Sequence, residues 1–281
     1  MGEPNRAAQA IPEHDAPGVW CRLPVLEGEG VKTLPRSNVP WATHQWPILR
    51  GCSAVSEGCQ NCYAKGWYHR FAASKGYPAW GTAHYLPENL RMPYSLKKPA
   101  RIFVAPMSDL YNEDVNDDMR TEIMDIISWL PEHTFIILTK RAHRLPINCA
   151  WLPNIWLGVT CENQARAEER IPHLIQCNVS VRFVSIEPML GPVDLTAVKF
   201  PDTDITENIL NDTPPSFEKV MPGCKLNRID WVQCGPETGR GKRPCSPLWI
   251  DQVGVDCKVH GVPFFDKRDM FIRREYPKGK A

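Results

Sequence analysis

The chain has 281 residues, 43% of them hydrophobic, and a formal net charge of +1 at pH 7. This size and apolar content suffice for a well-packed core, and the near-neutral charge excludes a molecule-wide field that attracts nucleic acid or membrane. The sequence contains no apolar run of about 18 residues and no apolar signal region near its start. We therefore expect a cytoplasmic protein without a membrane span, whose thiols stay reduced.

Residues 1–40 are rich in Pro, Gly, Glu and Ala without periodicity, which predicts a poorly ordered N-terminal arm. From residue 41 to residue 273, short apolar runs typical of strands alternate with amphipathic stretches typical of helices. The predicted strands are 46–49, 101–106, 134–138, 155–159, 181–186, 230–234 and 263–265. The predicted helices are 61–75, 117–130, 163–177 (with Asn163 as a cap) and 247–260.

The repeated strand–helix units predict an α/β protein with parallel strands and right-handed crossovers, arranged as a partial or complete (β/α) barrel. Residues 194–228 are Pro- and Asp-rich and poorly periodic, so we predict an insertion or lid within the 41–273 barrel. Residues 274–281 are predicted as a C-terminal tail.

Three of the eleven cysteines, Cys52, Cys59 and Cys62, stand on one short stretch that reads GCSAVSEGCQNCYAK (51–65). Three thiolates can hold three corners of a [4Fe–4S] cluster and leave one iron open to S-adenosylmethionine (SAM). The spacing also permits a zinc site completed by His44 or His69, and it permits plain buried or redox-active thiols.

Polar residues gather directly after the predicted strands, where a barrel places its active site at one mouth. They are Ser108 and Asp109; Thr139, Lys140 and Arg141; Thr160, Glu162 and Asn163; Ser185 and Glu187; Gly235, Glu237 and Thr238; and Asp266, Lys267 and Arg268. Lys140 and Arg141 suit a phosphate or carboxylate. Each of these residues is also a common cap, turn or salt-bridge residue.

Seven stretches in a fixed order carry a resemblance to a known family. They are WPILRGCSAVSEGCQNCYA (46–64), MSDLYNEDV (107–115), ILTKRAHRL (137–145), NIWLGVTCENQARAEERI (154–171), VRFVSIEPMLGP (181–192), IDWVQCGPETGRGKRP (229–244) and GVPFFDK (261–267). They resemble a phage and bacterial family long known only as a phage protein of unknown function, which looks like a divergent branch of the radical SAM superfamily. The chain departs from that family at Pro47, where Asn is usual, and at Pro236, which precedes Glu237.

The resemblance implies a radical SAM barrel with a [4Fe–4S] cluster on Cys52, Cys59 and Cys62, SAM as the second cofactor, and an external electron donor. We expect Glu187, Glu237 and Lys140 as catalytic residues. We expect cofactor contacts from a further set: Tyr63, Asp109, Ser185 and Glu187. Tyr63 has the alternative of a core aromatic, and the acidic residues have the alternative of salt bridges at the mouth.

Members of this branch in phages are associated with thymidine hypermodification, which protects viral DNA from host restriction. The resemblance therefore implies an isomerase that converts an N-linked glycyl thymidine into its Cα-linked form, with modified DNA as the partner. The alternatives are a radical SAM lyase or modifier of another substrate, and a zinc-stabilised nucleic-acid-binding module. The oligomeric state stays open.

Overall fold

A computed structural model describes residues 31–71, 74, 80–147, 149–201, 203–211, 228–239, 241–268 and 274–277. The predicted arm therefore falls outside the described residues over 1–30, and the predicted insertion does so at 202 and over 212–227. Within the described ranges, no helix combines the length and the apolar character needed to cross a bilayer.

The described strands and helices follow the predicted order. The strands are β1 (His44–Trp46), β2 (Leu49–Arg50), β3 (His84–Tyr85), β4 (Arg101–Val104), β5 (Thr134–Thr139), β6 (Ile155–Thr160), β7 (Val181–Ile186), β8 (Val198–Lys199), β9 (Thr206–Glu207), β10 (Trp231–Cys234) and β11 (Phe264–Asp266). The helices are α1 (Tyr63–Phe71), α2 (Asp117–Ser128), α3 (Gln164–Leu174) and α4 (Pro247–Val259). No α-helix is described between β5 and β6 or between β7 and β10. Asn163 caps α3 as predicted, because its side chain accepts a hydrogen bond from the Arg166 amide.

Seven parallel strands form one sheet in the order β1-β4-β5-β6-β7-β10-β11. Every residue of β6 and β7 is buried, which explains why these strands are continuous apolar runs rather than alternating ones. Within the described residues, the two end strands of this order, β1 and β11, are not neighbours, so the sheet is open there. The predicted α/β architecture is confirmed in its partial-barrel form.

Helices cover the outer face of the sheet, and an inner aromatic cluster fills its concave face. This cluster consists of Trp41, Phe103, Trp156, Phe183, Trp231 and Phe265 with smaller apolar neighbours. The ring centroids of Trp156 on β6 and Trp231 on β10 lie 5.7 Å apart although β7 runs between their strands. Gly158 makes room for this packing, because a Cβ atom there would lie 2.4 Å from the Phe183 ring. The sheet is therefore curled around its aromatic residues.

Both edges of the sheet carry a short antiparallel bridge from a flanking segment. Arg36 bridges His44 on β1, and Arg274 bridges Phe265 on β11. The Tyr276 hydroxyl donates to the Pro40 carbonyl oxygen at 3.3 Å, so the two flanking segments also meet each other. Residues 31–40 of the predicted arm thus pack on the barrel, and so do the described residues of the predicted tail.

One predicted strand differs from the structure, and part of the predicted insertion is described. The predicted strand 46–49 is divided: Trp46 ends β1, whereas Leu49–Arg50 pairs antiparallel with β3. Pro47 lies at the division, and it lacks the amide hydrogen that a continuing ladder needs. The described part of 194–228 forms the β8–β9 hairpin, which contacts α3 and buries Phe200 and Leu210 in the outer core.

Candidate functional site

The cysteine loop, residues 51–62, lies at the C-terminal ends of the parallel strands. The Gly51 carbonyl oxygen accepts from Ser108 Oγ, at 2.5 Å, after β4. Ser56 Oγ donates to Glu162 Oε1, at 2.5 Å, after β6. Asn61 Nδ2 donates to Glu237 Oε2, at 3.0 Å, after β10. The loop is therefore fixed to the edge of the sheet where parallel barrels carry their active sites.

Cys52 has two polar side chains against its sulfur atom. Asn112 Nδ2 and Arg141 Nη1 each donate to its Sγ atom at 3.7 Å. Burial raises the pKa of the Cys52 thiol to about 11, with a smaller increase from Asp109 and an opposing effect of Arg141. Because metal ions bind the thiolate, a metal at this sulfur would displace a proton.

The three cysteines of the loop are free and half-buried. Over the described ranges, no three His, Cys, Asp or Glu side chains are already drawn together as in a metal site. The donor set nevertheless fits a [4Fe–4S] cluster with one open iron, because it offers three thiols on one loop. Of the two histidines considered for zinc, His44 stands at the N-terminal end of β1 and His69 is exposed on α1.

Asp109 is fully engaged by neighbouring groups. Its Oδ1 atom accepts from the Tyr111 amide at 3.0 Å and from Thr139 Oγ1 at 2.8 Å. Its Oδ2 atom accepts from the Lys140 amide at 3.0 Å and from Arg141 Nη1 at 3.3 Å. This carboxylate, expected to contact the cofactor, is here an internal anchor that joins the ends of β4 and β5.

Arg141 is 1% exposed and its guanidinium lies between the cysteine loop and the strand ends. Its Nε atom donates to Glu113 Oε2 at 2.9 Å, and its Nη2 atom donates to Ser53 Oγ at 2.6 Å. The expectation that Arg141 holds a phosphate or carboxylate of a ligand does not match this arrangement. The side chain instead fixes the loop beside Cys52.

Glu162 is a site residue to which sequence reasoning gave no role beyond its place after a strand. It is 0% exposed, and its Oε2 atom accepts from Arg170 Nη1 at 2.8 Å. A Cβ atom at Gly58 would lie 2.2 Å from Glu162 Oε1, so the loop backbone rests directly on this carboxylate. Lys140 Nζ lies 4.0 Å from the same oxygen, which brings this predicted catalytic residue under the loop.

Glu237 and Arg243 form a clamp between the loop after β10 and the cysteine loop. Arg243 Nε donates to Glu237 Oε2 at 2.9 Å, and Arg243 Nη1 donates to the Glu57 carbonyl oxygen at 3.0 Å. The hydrogen bond from Arg243 is the largest cause that lowers the pKa of Glu237 to about 2. The Glu57 carboxylate is held in the same way by Arg166, which lowers its pKa to about 2.

Glu187 and Ser185 belong to a second group on the inner face, organised by Lys267. The Lys267 ammonium pairs with Glu187 Oε2, lies 3.5 Å from Ser185 Oγ, and stands 5.5 Å from the centroid of the Trp41 ring. The sequence places Lys267 directly after a predicted strand but gives no sign of this pairing. All three predicted carboxylates, Asp109, Glu187 and Glu237, thus lie in ion pairs, and their functional roles stay predictions.

Tyr63, which follows the last cysteine, begins α1 and is 60% exposed. Its hydroxyl donates to the Pro106 carbonyl oxygen after β4, so the side chain lies across the mouth rather than in the core. The hydroxyl end is thus held at the end of β4, while the residue as a whole stays exposed beside the cysteine loop.

The family described as "Protein of unknown function (DUF5131)" matches residues 36–275. The chain belongs to the DUF5131 family. A comparison with curated proteins finds no significant match. The family part of the resemblance is thereby confirmed, while the phage hypermodification branch stays a prediction.

Two solved structures are similar to this DUF5131 chain at low identity. Spore photoproduct lyase complexed with dinucleoside spore photoproduct is 11% identical with a TM-score of 0.41, and the match covers 56% of this chain and 48% of that chain. A double mutant of spore photoproduct lyase with bound AdoMet and dinucleoside spore photoproduct is 12% identical with a TM-score of 0.43, covering 81% of this chain and 75% of that chain. The DUF5131 chain thus spans about half the length of the first structure.

Proposed function

We propose that this DUF5131 protein is a radical SAM enzyme that holds a [4Fe–4S] cluster on Cys52, Cys59 and Cys62. One observation carries the proposal: a loop with three free thiols is fixed at the C-terminal mouth of a partial β/α barrel. Three thiol ligands leave one iron of such a cluster open for SAM. When bound, these cofactors supply a 5′-deoxyadenosyl radical, which abstracts a hydrogen atom from the substrate.

The side chains of this protein hold the cysteine loop in place and provide polar groups at the mouth of the barrel. Arg141 and Asn112 hold Cys52, and the Arg243–Glu237 clamp holds the far end of the loop. Lys140 and Glu187 are the predicted catalytic residues whose side chains stay partly exposed at the mouth, at 23% and 34% respectively. We assign them to the orientation of substrate, with Lys140 suited to a phosphate or carboxylate.

The substrate that we propose is a thymidine in phage DNA whose 5-methylene carbon carries glycine through its nitrogen. In the reaction, the bond from the methylene carbon to nitrogen breaks, and a bond from the methylene carbon to the glycyl α-carbon forms. One hydrogen atom leaves the α-carbon and one returns to the product, so that its composition equals that of the substrate. The seven sequence blocks support this assignment, and the modified DNA would resist host restriction.

The radical SAM proposal is tested on protein purified without oxygen. We expect iron and sulfide in the ratio of a [4Fe–4S] cluster, and release of 5′-deoxyadenosine when SAM and a reductant are added. Joint replacement of the three loop cysteines by Ala should abolish both. Cys149→Ala is the matched control, since Cys149 is a free, exposed cysteine outside the loop. Stoichiometric zinc without sulfide would reject the proposal and favour the nucleic-acid-binding module.

The isomerase proposal needs a second experiment with DNA that carries glycyl thymidine. After incubation with enzyme, SAM and reductant, the DNA is digested to nucleosides and analysed by fragmentation mass spectrometry. We expect a nucleoside of unchanged mass whose fragments retain the glycyl α-carbon on the methylene carbon. An unchanged fragment pattern, in a reaction that does release 5′-deoxyadenosine, rejects the isomerase and leaves the radical SAM proposal standing.

A further inference from the structure

Gln233 on β10 is a buried amide whose side chain has no hydrogen-bond partner among the described residues. The residue is 0% exposed, and neither its Nε2 nor its Oε1 atom has a hydrogen-bond partner in the part of the chain that the structure describes. Its register partners are Ser185 on β7 and Phe265 on β11. An amide buried without partners opposes folding, so its presence calls for an explanation.

The Lys267 side chain forms a strap across the mouth side of Gln233. Lys267 follows β11, and its ammonium reaches Ser185 and Glu187 on and after β7, so its stem must cross β10. The crossing point is Gly235, two positions beyond Gln233, where an added Cβ atom would lie 2.9 Å from Lys267 Cβ and 3.5 Å from Glu187 Oε1. The strap therefore separates the amide from the open mouth.

The groups around the strap have a definite hydrogen-bonding pattern. The Gln233 amide offers one donor side and one acceptor, and the Lys267 ammonium adds a second donor. A donor–acceptor–donor set complements a carbonyl, N–H, carbonyl edge, which is the imide edge of a pyrimidine-2,4-dione ring. Trp231 and Phe265 of the inner aromatic cluster flank Gln233 on and beside β10.

We propose that Gln233, with Lys267, binds the imide edge of a thymine- or uracil-type base at the inner face of the sheet. On binding, Lys267 exchanges its contact with Ser185 for a ring carbonyl, and the Gln233 amide pairs with the N3–H group and the other carbonyl. This inference rests on the proposed function, since it names the residues that would recognise the base there.

The test compares thymidine with N3-methylthymidine, which lacks the imide N–H group. Binding to the full-length protein, prepared without oxygen, is measured by titration calorimetry. We expect thymidine to bind roughly ten- to a hundredfold more tightly than its methylated analogue. Gln233→Leu should remove this preference and raise the melting temperature, because the unpaired amide is gone. A ligand role thus predicts a gain in stability together with a loss of binding.

Tyr111→Phe is the matched control. The Tyr111 hydroxyl is also buried without a partner within the described ranges, but it lies in the outer core. Its removal should raise the melting temperature and leave thymidine binding unchanged. Gln233→Glu keeps the shape of the side chain and removes its N–H donors, so it should weaken thymidine binding at least about tenfold. This variant replaces Gln233→Leu in the test if the leucine variant does not fold.

Three outcomes overturn the inference: equal affinity for the two nucleosides, no binding of either, or a Gln233 variant that binds thymidine as the wild type does. None of these measurements requires SAM cleavage. Failure of nucleoside binding in a protein that releases 5′-deoxyadenosine therefore rejects this inference alone. Selective binding without 5′-deoxyadenosine release rejects the radical SAM proposal alone.

Discussion

At the scale of single residues, the cysteine loop depends on contacts that leave no space for additional atoms. Gly58 lies against the buried Glu162 carboxylate, which in turn binds Ser56 of the same loop and Arg170 of α3. A charge buried this deeply is tolerated because it is paired and hydrogen-bonded. The loop and the buried ion pair therefore stabilise each other.

We expect Gly58→Ala to weaken the docking of the loop. The new Cβ atom would lie 2.2 Å from Glu162 Oε1, and we expect a loss of about 1–3 kcal/mol in the free energy of unfolding. Iron content per chain should fall with it. Gly66→Ala is the control, since a Cβ atom there meets no described atom within 4 Å and lies on α1, where alanine stabilises by about 0.5–1 kcal/mol. Equal iron content in the two variants would contradict the role of the contact.

His133 makes stability depend on pH. It is buried before β5, and neither ring nitrogen has a hydrogen-bond partner in the described part of the chain. Burial lowers the pKa of His133 below its usual 6.5, against a weaker opposing effect of Glu132. The unfolded chain then binds more protons, so the free energy of unfolding should fall as pH drops below 6.5. Urea denaturation between about pH 8 and about pH 5 measures this dependence. The free energy of unfolding should vary less with pH in His133→Phe than in the wild type. Parallel pH profiles of the two proteins would refute the assignment.

At the scale of elements, the clamp between Arg243 and Glu237 ties the loop after β10 to the cysteine loop. We expect Arg243→Gln to speed hydrogen exchange of the amides in residues 51–62, because Arg243 Nη1 no longer fixes the Glu57 carbonyl oxygen. Asp251→Asn is the control, since it removes a similar ion pair with Arg268 on the outer helix α4. Equal exchange in the loop of both variants would show that the clamp does not order it.

The same clamp has a predicted pH range. The pKa of Glu237 is lowered from 4.5 to about 2, so its contribution is present above pH 4.5 and is lost as pH falls toward 2. Protection of the loop amides should therefore persist from neutral pH to about 4.5 and decline below it. Hydrogen exchange measured across this range checks the prediction. Loss of protection already at about pH 6, where histidine side chains titrate, would contradict it.

Elements whose signal is local were predictable from the sequence. The predicted strand 181–186 has the same bounds as β7. Helix α3 begins directly after Asn163, its predicted cap. The strand 46–49 was wrong as a single element because the small β2–β3 hairpin takes Leu49 and Arg50 from it. Partners of a strand lie far away in sequence, and a local pattern does not contain them.

The same distinction between local and long-range signals applies to the candidate site. The three cysteines and the polar residues after the strands follow from sequence spacing and from the convergence of strand ends. The pairs Arg243–Glu57, Lys267–Glu187 and Ser56–Glu162 join residues that are 186, 80 and 106 positions apart. Only the folded chain selects which charges meet, and for this reason Arg141 was expected to bind a phosphate or carboxylate rather than to lie buried beside Cys52.

At the scale of the whole molecule, the inner aromatic cluster holds the curl of the sheet. Trp231 is its centre, with ring centroids 5.7 Å from Trp156, 5.5 Å from Phe183 and 6.1 Å from Phe265. Trp231 also donates from Nε1 to the Glu275 carbonyl oxygen at 2.8 Å. Three strands and the segment after β11 thus depend on one side chain.

We expect Trp231→Ala to lower the free energy of unfolding by about 3–5 kcal/mol, because it leaves a large cavity among packed rings. Leu248→Ala is the control: Leu248 is 74% exposed on α4, and its truncation should change stability by no more than about 0.5 kcal/mol. Urea denaturation followed by tryptophan fluorescence measures both. Similar losses in the two variants would contradict a central role for Trp231.

The bridges at Arg36 and Arg274 bear on how the protein behaves in concentrated solution. An uncovered strand offers its free amide and carbonyl groups to another molecule and so promotes sheet growth between chains. The bridges cover part of β1 and β11, and the family match spans residues 36–275, from one bridge to the other. A shortened chain that begins after residue 40 or ends before residue 274 should therefore oligomerise through its exposed backbone, even where its interior packing is intact.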